Sequence, residues 1–387
     1  MSAALSFAPM NALTHISTPA ALLDTPTMAR NIARMQQRMN LLGVRFRPHV
    51  KTAKSMPVTQ AQLQAGAHGI TVSTLKEAEE FFAAGCTDIL YAVCIAPPKL
   101  DQALALIRRG CALQLLVDSV AGAQAVVAKG KAAGLVLPVL IEIDTDGHRS
   151  GVAPDDAVLL DIGRTLVQGG ALLAGVMTHA GSSYDFATEA ELVRIAEQER
   201  ALCVRAAERL RQAGLPCETV SVGSTPTALS AQHLSGVTEV RAGVYVFFDL
   251  VMAGVGVCRL GDIALSVLTT VIGHQPDKGW IICDAGWMAM SRDRGTGQQA
   301  VDFGYGAVCA ADGAVLDGYQ MVGANQEHGI VARADGALPD DVAAKFPLGS
   351  MLRILPNHAC ATGAQFSAYQ AIQPDGSVEV WPRFSGW

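Results

Sequence analysis

Between about residue 16 and residue 250 the chain alternates short β-rich runs with Ala/Leu/Glu/Arg-rich stretches of helical period, and it does so eight times. The runs are Val44–Val50, Gly69–Val72, Asp88–Val93, Ala112–Val117, Pro138–Asp144, Leu172–Thr178, Thr219–Val222 and Thr238–Arg241. Strands alternating with helices predict a parallel sheet, and eight such units over this length predict an α/β fold built on a (β/α)8 barrel. An open doubly wound sheet would be expected to carry GxGxxG after its first strand, and no such motif follows Val44–Val50. After Leu250 the texture changes to period-2 alternation, as in Ile263–Ile272 and Trp280–Asp284, punctuated by Asp312-Gly313, Asp317-Gly318, Asp335-Gly336 and Asp375-Gly376 turn signals. The expected organisation is therefore a barrel over residues 16–254 and a mostly β domain over 255–387, joined by residues 1–15.

The length of 387 residues agrees with two cores rather than one. No run approaches the roughly 20 apolar residues of a spanning helix, which argues against a membrane protein. A net charge of −6 without a basic patch argues against nucleic acid as a partner. The nine cysteines contain no CxxC pair and sit mostly in apolar runs, as buried free thiols in a reducing compartment do. The N-terminal MSAALSFAPMNALTH lacks a basic n-region, so the cytoplasm is the expected location.

Chemistry in such a barrel gathers at the C-terminal ends of the strands. The first strand ends in Arg47-Pro-His-Val-Lys51-Thr-Ala-Lys54, the fifth in Asp144-Thr-Asp-Gly-His-Arg149, and the sixth in His179-Ala-Gly-Ser-Ser-Tyr184. The seventh and eighth end in Gly223-Ser224-Thr225 and Ala242-Gly243-Val-Tyr245, at the usual phosphate-binding position. Glycines there let backbone N–H groups approach an anion, and hydroxyls add donors. A lysine facing a backbone-held phosphate fits pyridoxal 5'-phosphate, whose aldehyde a deprotonated Lys51 amine can attack. A second constellation lies near the C-terminus, in Leu355-Pro-Asn-His358-Ala-Cys360. Read as leaving a strand, His358 and Cys360 would point to one side. Imidazole and thiolate together suit zinc best, although two ligands do not fix the metal.

The segments RPHVKTAKS, ITVSTLKEAE, DTDGHRSGV, THAGSSY, VSVGSTPTA, EVRAGVYVFFD, DAGWMAMSRD, NQEHGIV and LPNHACATG together resemble the fold-type III pyridoxal-phosphate enzymes, within them the D-serine dehydratase/D-threonine aldolase-like group. The resemblance runs from about Thr18 to Trp387. It implies that Lys51 holds the cofactor and is the base at Cα of a D-amino acid. Ser224, Thr225, Gly243 and Tyr245 would hold the phosphate, and Arg149 would lie near the ring's phenolic oxygen. His179 and Tyr184 would pack on the ring or meet its nitrogen. His358 and Cys360 would ligate a divalent cation, zinc or manganese with magnesium as a third choice, beside the substrate's β-hydroxyl. One departure is Ala53 in KTAK, where several relatives read KTHK; any role of that histidine falls away here. The implied activity is dehydration of a D-3-hydroxy amino acid, 3-hydroxyaspartate foremost, to a 2-oxo acid and ammonia. Arg292 and Arg294 are candidates for a second substrate carboxylate. The alternatives are retro-aldol cleavage, D-serine dehydration, racemisation, or a non-catalytic pyridoxal-phosphate-binding protein. A homodimer is implied as well. His328 reads either as a neighbour of the metal or, preferably, as a satisfied core histidine.

Overall fold

The computed structural model describes residues 13–387, so most of the expectation for residues 1–15 lies outside the described residues. The chain forms two compact units, one of Ala33–Gly243 and one of the segment up to Ile32 with Val244–Ser385. The first strand, β1 (Ala20–Asp24), precedes the barrel strands. It pairs antiparallel with Leu265–Leu268 and parallel with Gln370–Ile372, in the second unit's sheet. Residues 244–254 also leave the barrel. The Leu250 and Val251 amides donate to the Pro356 and Asn357 carbonyls, and Phe247 O accepts from Ala264 N, so backbone bonding ties this stretch to the β-rich half.

The barrel strands are β2 (Arg45–Pro48), β3 (Ile70–Val72), β4 (Asp88–Cys94), β5 (Ala112–Val117), β6 (Pro138–Ile143), β7 (Leu172–Thr178), β8 (Thr219–Val222) and β9 (Glu239–Ala242). They lie in the order β2-β9-β8-β7-β6-β5-β4-β3, all parallel. A parallel bridge between His49 and Thr71, with Val50 N donating to Thr71 O at 3.0 Å, closes β2 onto β3. The intervening helices begin where short polar side chains satisfy free amides. Thr74 accepts from Glu77 N ahead of helix Leu75–Ala83, and Thr188 with Glu191 forms a capping box ahead of helix Glu189–Gln212.

Half of the barrel interior is apolar, with Leu90, Leu116, Leu140 and Met177 packed across β4 to β7. The other half is an ion network. Ser221 is in register with Met177, so its side chain shares that inner face. Arg47 Nε donates to Glu239 Oε2 at 2.8 Å and Arg47 Nη1 to Asp88 at 2.8 Å; Ser221 Oγ donates to Glu239 Oε1, and Arg241 Nη1 to Ser221 Oγ. Arg47 and Glu239 are both buried, so removing one partner leaves a bare charge in a low dielectric. Arg47→Ala should therefore lower unfolding free energy by about 3–5 kcal/mol in urea titrations, and a loss within experimental error would contradict this reading of the network.

The second unit contains β1 and β10 (Leu265–Gln275), β11 (Trp280–Cys283), β12 (Ala307–Ala310), β13 (Val315–Ala324), β14 (Gly329–Arg333), β15 (Met351–Leu355), β16 (Ala368–Ile372) and β17 (Val378–Pro382). The order is β11-β14-β13-β12-β15-β10-β1-β16-β17, and a further β11–β10 pairing closes six of these strands into a ring. Asp312-Gly313 and Asp375-Gly376 are hairpin turns, as their residue types require. Asp317-Gly318 is not a turn between strands: it lies inside β13, where the pairing with β12 shifts register and Gly318 takes φ +79°. Among the described residues no helix is long and apolar enough to cross a membrane.

Candidate active site

Lys51 is exposed in the turn that follows β2. The turn is anchored from behind. Lys54, at φ +46°, bonds through its amide to Val50 O, and its Nζ pairs with the buried Glu77 at 3.1 Å. Glu77 also accepts from Ser73 N, which ties the turn to the end of β3. Gly243, at the end of β9, packs on the same turn: a Cβ there would sit 3.0 Å from His49 O and 3.2 Å from Thr52 Oγ1.

After β6, Asp144 Oδ1 accepts the amides of Asp146 and Gly147 and so shapes the loop that carries Arg149. Asp146 Oδ2 in turn accepts from both the amide and the hydroxyl of Ser182, at 2.8 Å each, coupling this loop to the one after β7. Arg149 is half-exposed and reaches Glu142 at 3.5 Å. After β7, His179 Nδ1 lies 3.1 Å from Gly223 O; with the proton on that nitrogen the ring donates to the carbonyl. Tyr184 stands beside it, ring centroids 6.2 Å apart and tilted by 51°. Burial pushes the His179 pKa down to about 3, the charges of Lys51, Arg149 and Arg241 adding to the effect. Burial and Lys51 likewise push His49 well below its ordinary range. Both rings are therefore neutral at pH 7.

Gly223 begins the turn after β8 at φ +131°, where a Cβ would lie 2.2 Å from Arg241 O, so only glycine fits. Ser224 then caps helix Thr225–Ser230 through Thr227, and its Oγ also meets Ser183 Oγ at 2.8 Å. The hydroxyl expected to face a phosphate is thus already engaged within the protein, and the Ser224 amide donates to Thr227 Oγ1 at 3.0 Å. Among the sequence-predicted residues, the unit 33–243 groups Lys51, Arg149, His179, Tyr184, Ser224, Thr225 and Gly243 at the C-terminal ends of its strands. Tyr245 is buried in the turn Val244–Val246 of the other unit.

His358 and Cys360 are near one another for a different reason from strand alternation. β15 ends at Leu355, Pro356 follows, His358 is the extended residue that precedes helix Ala359–Gly363, and Cys360 lies within that helix. His358 Nδ1 is 2.7 Å from Asp293 Oδ2, and the Cys360 side chain hydrogen-bonds the imidazole. Burial disfavours the imidazolium, but Asp293, Cys360 and the buried Asp249 outweigh it and raise the His358 pKa to about 11. Asp249 is pushed up to about 6 by burial, although it accepts the amides of Met252 and Ala359. Asn357 braces the segment through Asp293 O, Gly304 O and Thr296 Oγ1. An imidazole held at Nδ1 by a carboxylate and hydrogen-bonded to a thiol has donor types and an outer shell that fit a metal-binding histidine.

Asp293 was not singled out in the sequence, although it lies between Arg292 and Arg294. Those arginines differ. Arg294 pairs with Asp302 at 2.9 Å and stacks on Tyr305, whereas Arg292 stacks on Trp287. His328 is neither buried nor satisfied in a core: it is exposed in the β13–β14 turn, its carbonyl accepting from Asn325 N. Not all remaining cysteines are packing residues either. Cys94, Asp118 and Glu142 bring donor atoms within 4.8 Å of one another. Cys94 Sγ donates to Glu142 at 3.2 Å, and burial together with the two carboxylates drives the thiol pKa far above its usual range, so Cys94 is a proton donor there.

Residues 23–251 match the alanine racemase N-terminal domain family, and residues 264–372 match a serine dehydratase domain family. The chain is 68% identical to D-threo-3-hydroxyaspartate dehydratase of Delftia sp. (strain HT23), over 96% of this chain and 98% of that one. It is 30% identical to D-threonine aldolase of Arthrobacter sp., over 96% and 93%. A solved structure of a cysteine-to-alanine variant of D-threo-3-hydroxyaspartate dehydratase in the metal-free form superposes with a TM-score of 0.97 at 67% identity, covering 97% of this chain and 100% of that one. With an alanine-racemase-like barrel, a dehydratase-type β domain and a relative this similar along nearly its whole length, the chain belongs to the D-serine dehydratase/D-threonine aldolase-like family of lyases.

Proposed function

We propose that this protein is a pyridoxal-phosphate- and divalent-metal-dependent dehydratase that converts D-threo-3-hydroxyaspartate to oxaloacetate and ammonia. The observation that carries the reading is the 68% identity, unbroken over nearly the full length of both chains, to an enzyme of that name. The residues fit both groups: an exposed lysine with neutral, partly buried imidazoles near it, a turn after β8 that only glycine can begin, and an imidazole–thiol pair backed by a carboxylate.

Bound at Lys51, pyridoxal phosphate supplies the electron sink that makes loss of the α-proton feasible. Lys51 Nζ takes that proton from Cα. Ser224, Thr225, Gly243 and Tyr245 would hold the phosphate. Arg149 would lie near the phenolic oxygen, and His179 and Tyr184 would pack on the ring or meet its nitrogen. His358 and Cys360 would hold a divalent cation, which would supply Lewis acidity towards the β-hydroxyl. Asp293 keeps the proton of His358 on Nδ1, so that Nε2 is the ligand nitrogen. Arg292, which has no carboxylate partner among the described residues, is the arginine suited to the substrate's second carboxylate.

The test is to incubate holoenzyme with D-threo-3-hydroxyaspartate, D-threonine and D-serine, with and without EDTA. Oxaloacetate and ammonia in equal amounts, lost with EDTA and restored by zinc or manganese, are expected. Glycine with an aldehyde would identify an aldolase, the opposite enantiomer a racemase. Cofactor absorbance with no turnover on any of the three would identify a binding protein.

A further inference from the structure

Helix Glu189–Gln212 turns an apolar face inward, with Ile195, Ala196, Cys203 and Ala206 buried, and in the middle of that face stands Glu199, 2% exposed. A carboxylate on a buried helix face is costly unless something requires it. Glu199 Oε1 accepts two backbone amides, Ala180 N at 2.9 Å and Gly223 N at 3.0 Å. Ala180 directly follows His179 in the loop after β7, and Gly223 directly precedes Ser224 in the turn after β8. The loops are joined a second time through the same glycine, whose carbonyl oxygen faces His179 Nδ1 at 3.1 Å. Thr227, which closes the Ser224 cap, also hydrogen-bonds the Glu199 carboxylate. One side chain outside the loops therefore fixes the Gly223 backbone, the His179 ring and the first turn of helix Thr225–Ser230 relative to one another.

We infer that Glu199 is a positioning residue for pyridoxal phosphate, holding the β7 and β8 loops in their cofactor-binding arrangement before the cofactor arrives. The inference rests on the cofactor assignment above and adds a residue that touches neither cofactor nor substrate. Its physical basis is pre-organisation: loops already fixed by the protein lose little entropy when ligand binds. Glu199→Ala leaves two amides without their acceptor and lets the loops part. Glu199→Gln keeps the length and one carbonyl oxygen, which can accept both amides.

The test compares apoprotein of wild type, Glu199→Gln and Glu199→Ala by titration with pyridoxal phosphate, reading visible absorbance, at a temperature where each is folded. Two lost buried hydrogen bonds predict that Glu199→Ala binds cofactor about 10- to 100-fold more weakly, with Glu199→Gln restored to within about threefold of wild type. Amide exchange in wild-type apoprotein supplies a readout that needs no variant: Ala180 and Gly223 should be protected before cofactor is added. Undiminished affinity in Glu199→Ala, or a Glu199→Gln as weak as Glu199→Ala, would overturn the inference. So would exchange of both amides at the rate of open loops. Failure of wild type itself to bind pyridoxal phosphate would instead overturn the cofactor assignment beneath it.

Discussion

Replacing Lys51 with Ala is expected to abolish α-proton removal and turnover, lowering kcat by about 10³-fold or more, because the residue is assigned both the covalent hold on the cofactor and the base at Cα. The fold should survive. Lys51 is exposed and forms no salt bridge among the described residues, so the variant should unfold at the wild-type denaturant midpoint. The comparison with Lys54 makes the result specific. Lys54 is three residues away but is committed to the buried Glu77 at 3.1 Å, and it stabilises the turn rather than facing solvent. Lys54→Met should lower stability and retain the cofactor's visible absorbance, whereas Lys51→Ala should retain stability and lose that absorbance. Lys51→Arg keeps the charge without an amine that can shed its proton near neutral pH, and should be as inactive as the alanine variant. Substantial turnover in Lys51→Ala would remove this lysine from the chemistry and leave Lys54 to be tested in its place.

That Lys51 stands out in the amino-acid sequence follows from the barrel's own regularity. Each strand run is bounded by its helix, so the residue after each run is readable, and β6 and β7 begin and end within one residue of the runs Pro138–Asp144 and Leu172–Thr178. Local patterns failed wherever a partner distant in sequence decides the outcome. Ala20–Asp24 is an ordinary apolar run. Nothing local says that its neighbours are Leu265–Leu268 and Gln370–Ile372. Asp317-Gly318 has turn chemistry, but strands pairing on both sides of β13 absorb it as a register shift. The same limit hid Asp293 and Glu199. Each is one acidic residue among many until folding brings it against His358 or against two loop amides. His358 and Cys360 were found by residue type, and the strand geometry offered for them was wrong, because Pro356 ends the extended run and a helical turn presents the pair.

His358→Ala should separate the two halves of the proposed chemistry. Loss of the imidazole removes one of the two proposed metal ligands, and production of oxaloacetate from D-threo-3-hydroxyaspartate is expected to fall by about 10²- to 10³-fold, in line with the several kcal/mol that Lewis-acid activation contributes. Exchange of the α-proton in D2O should continue, since Lys51, the proposed base at Cα, belongs to the unit 33–243 and His358 does not. Asp293→Asn gives a graded companion. It leaves the ligands in place and weakens only the hold on Nδ1, so metal affinity should fall by about 10- to 100-fold and activity should return at raised metal concentration. Wild-type enzyme treated with EDTA should reproduce the His358→Ala behaviour: α-exchange without dehydration. If α-exchange and dehydration vanish together in His358→Ala while cofactor absorbance is unchanged, His358 acts at Cα rather than at the β-hydroxyl. If dehydration persists at the wild-type rate, the pair at His358 and Cys360 holds no essential metal, and the leaving hydroxyl must then be protonated by a side-chain acid.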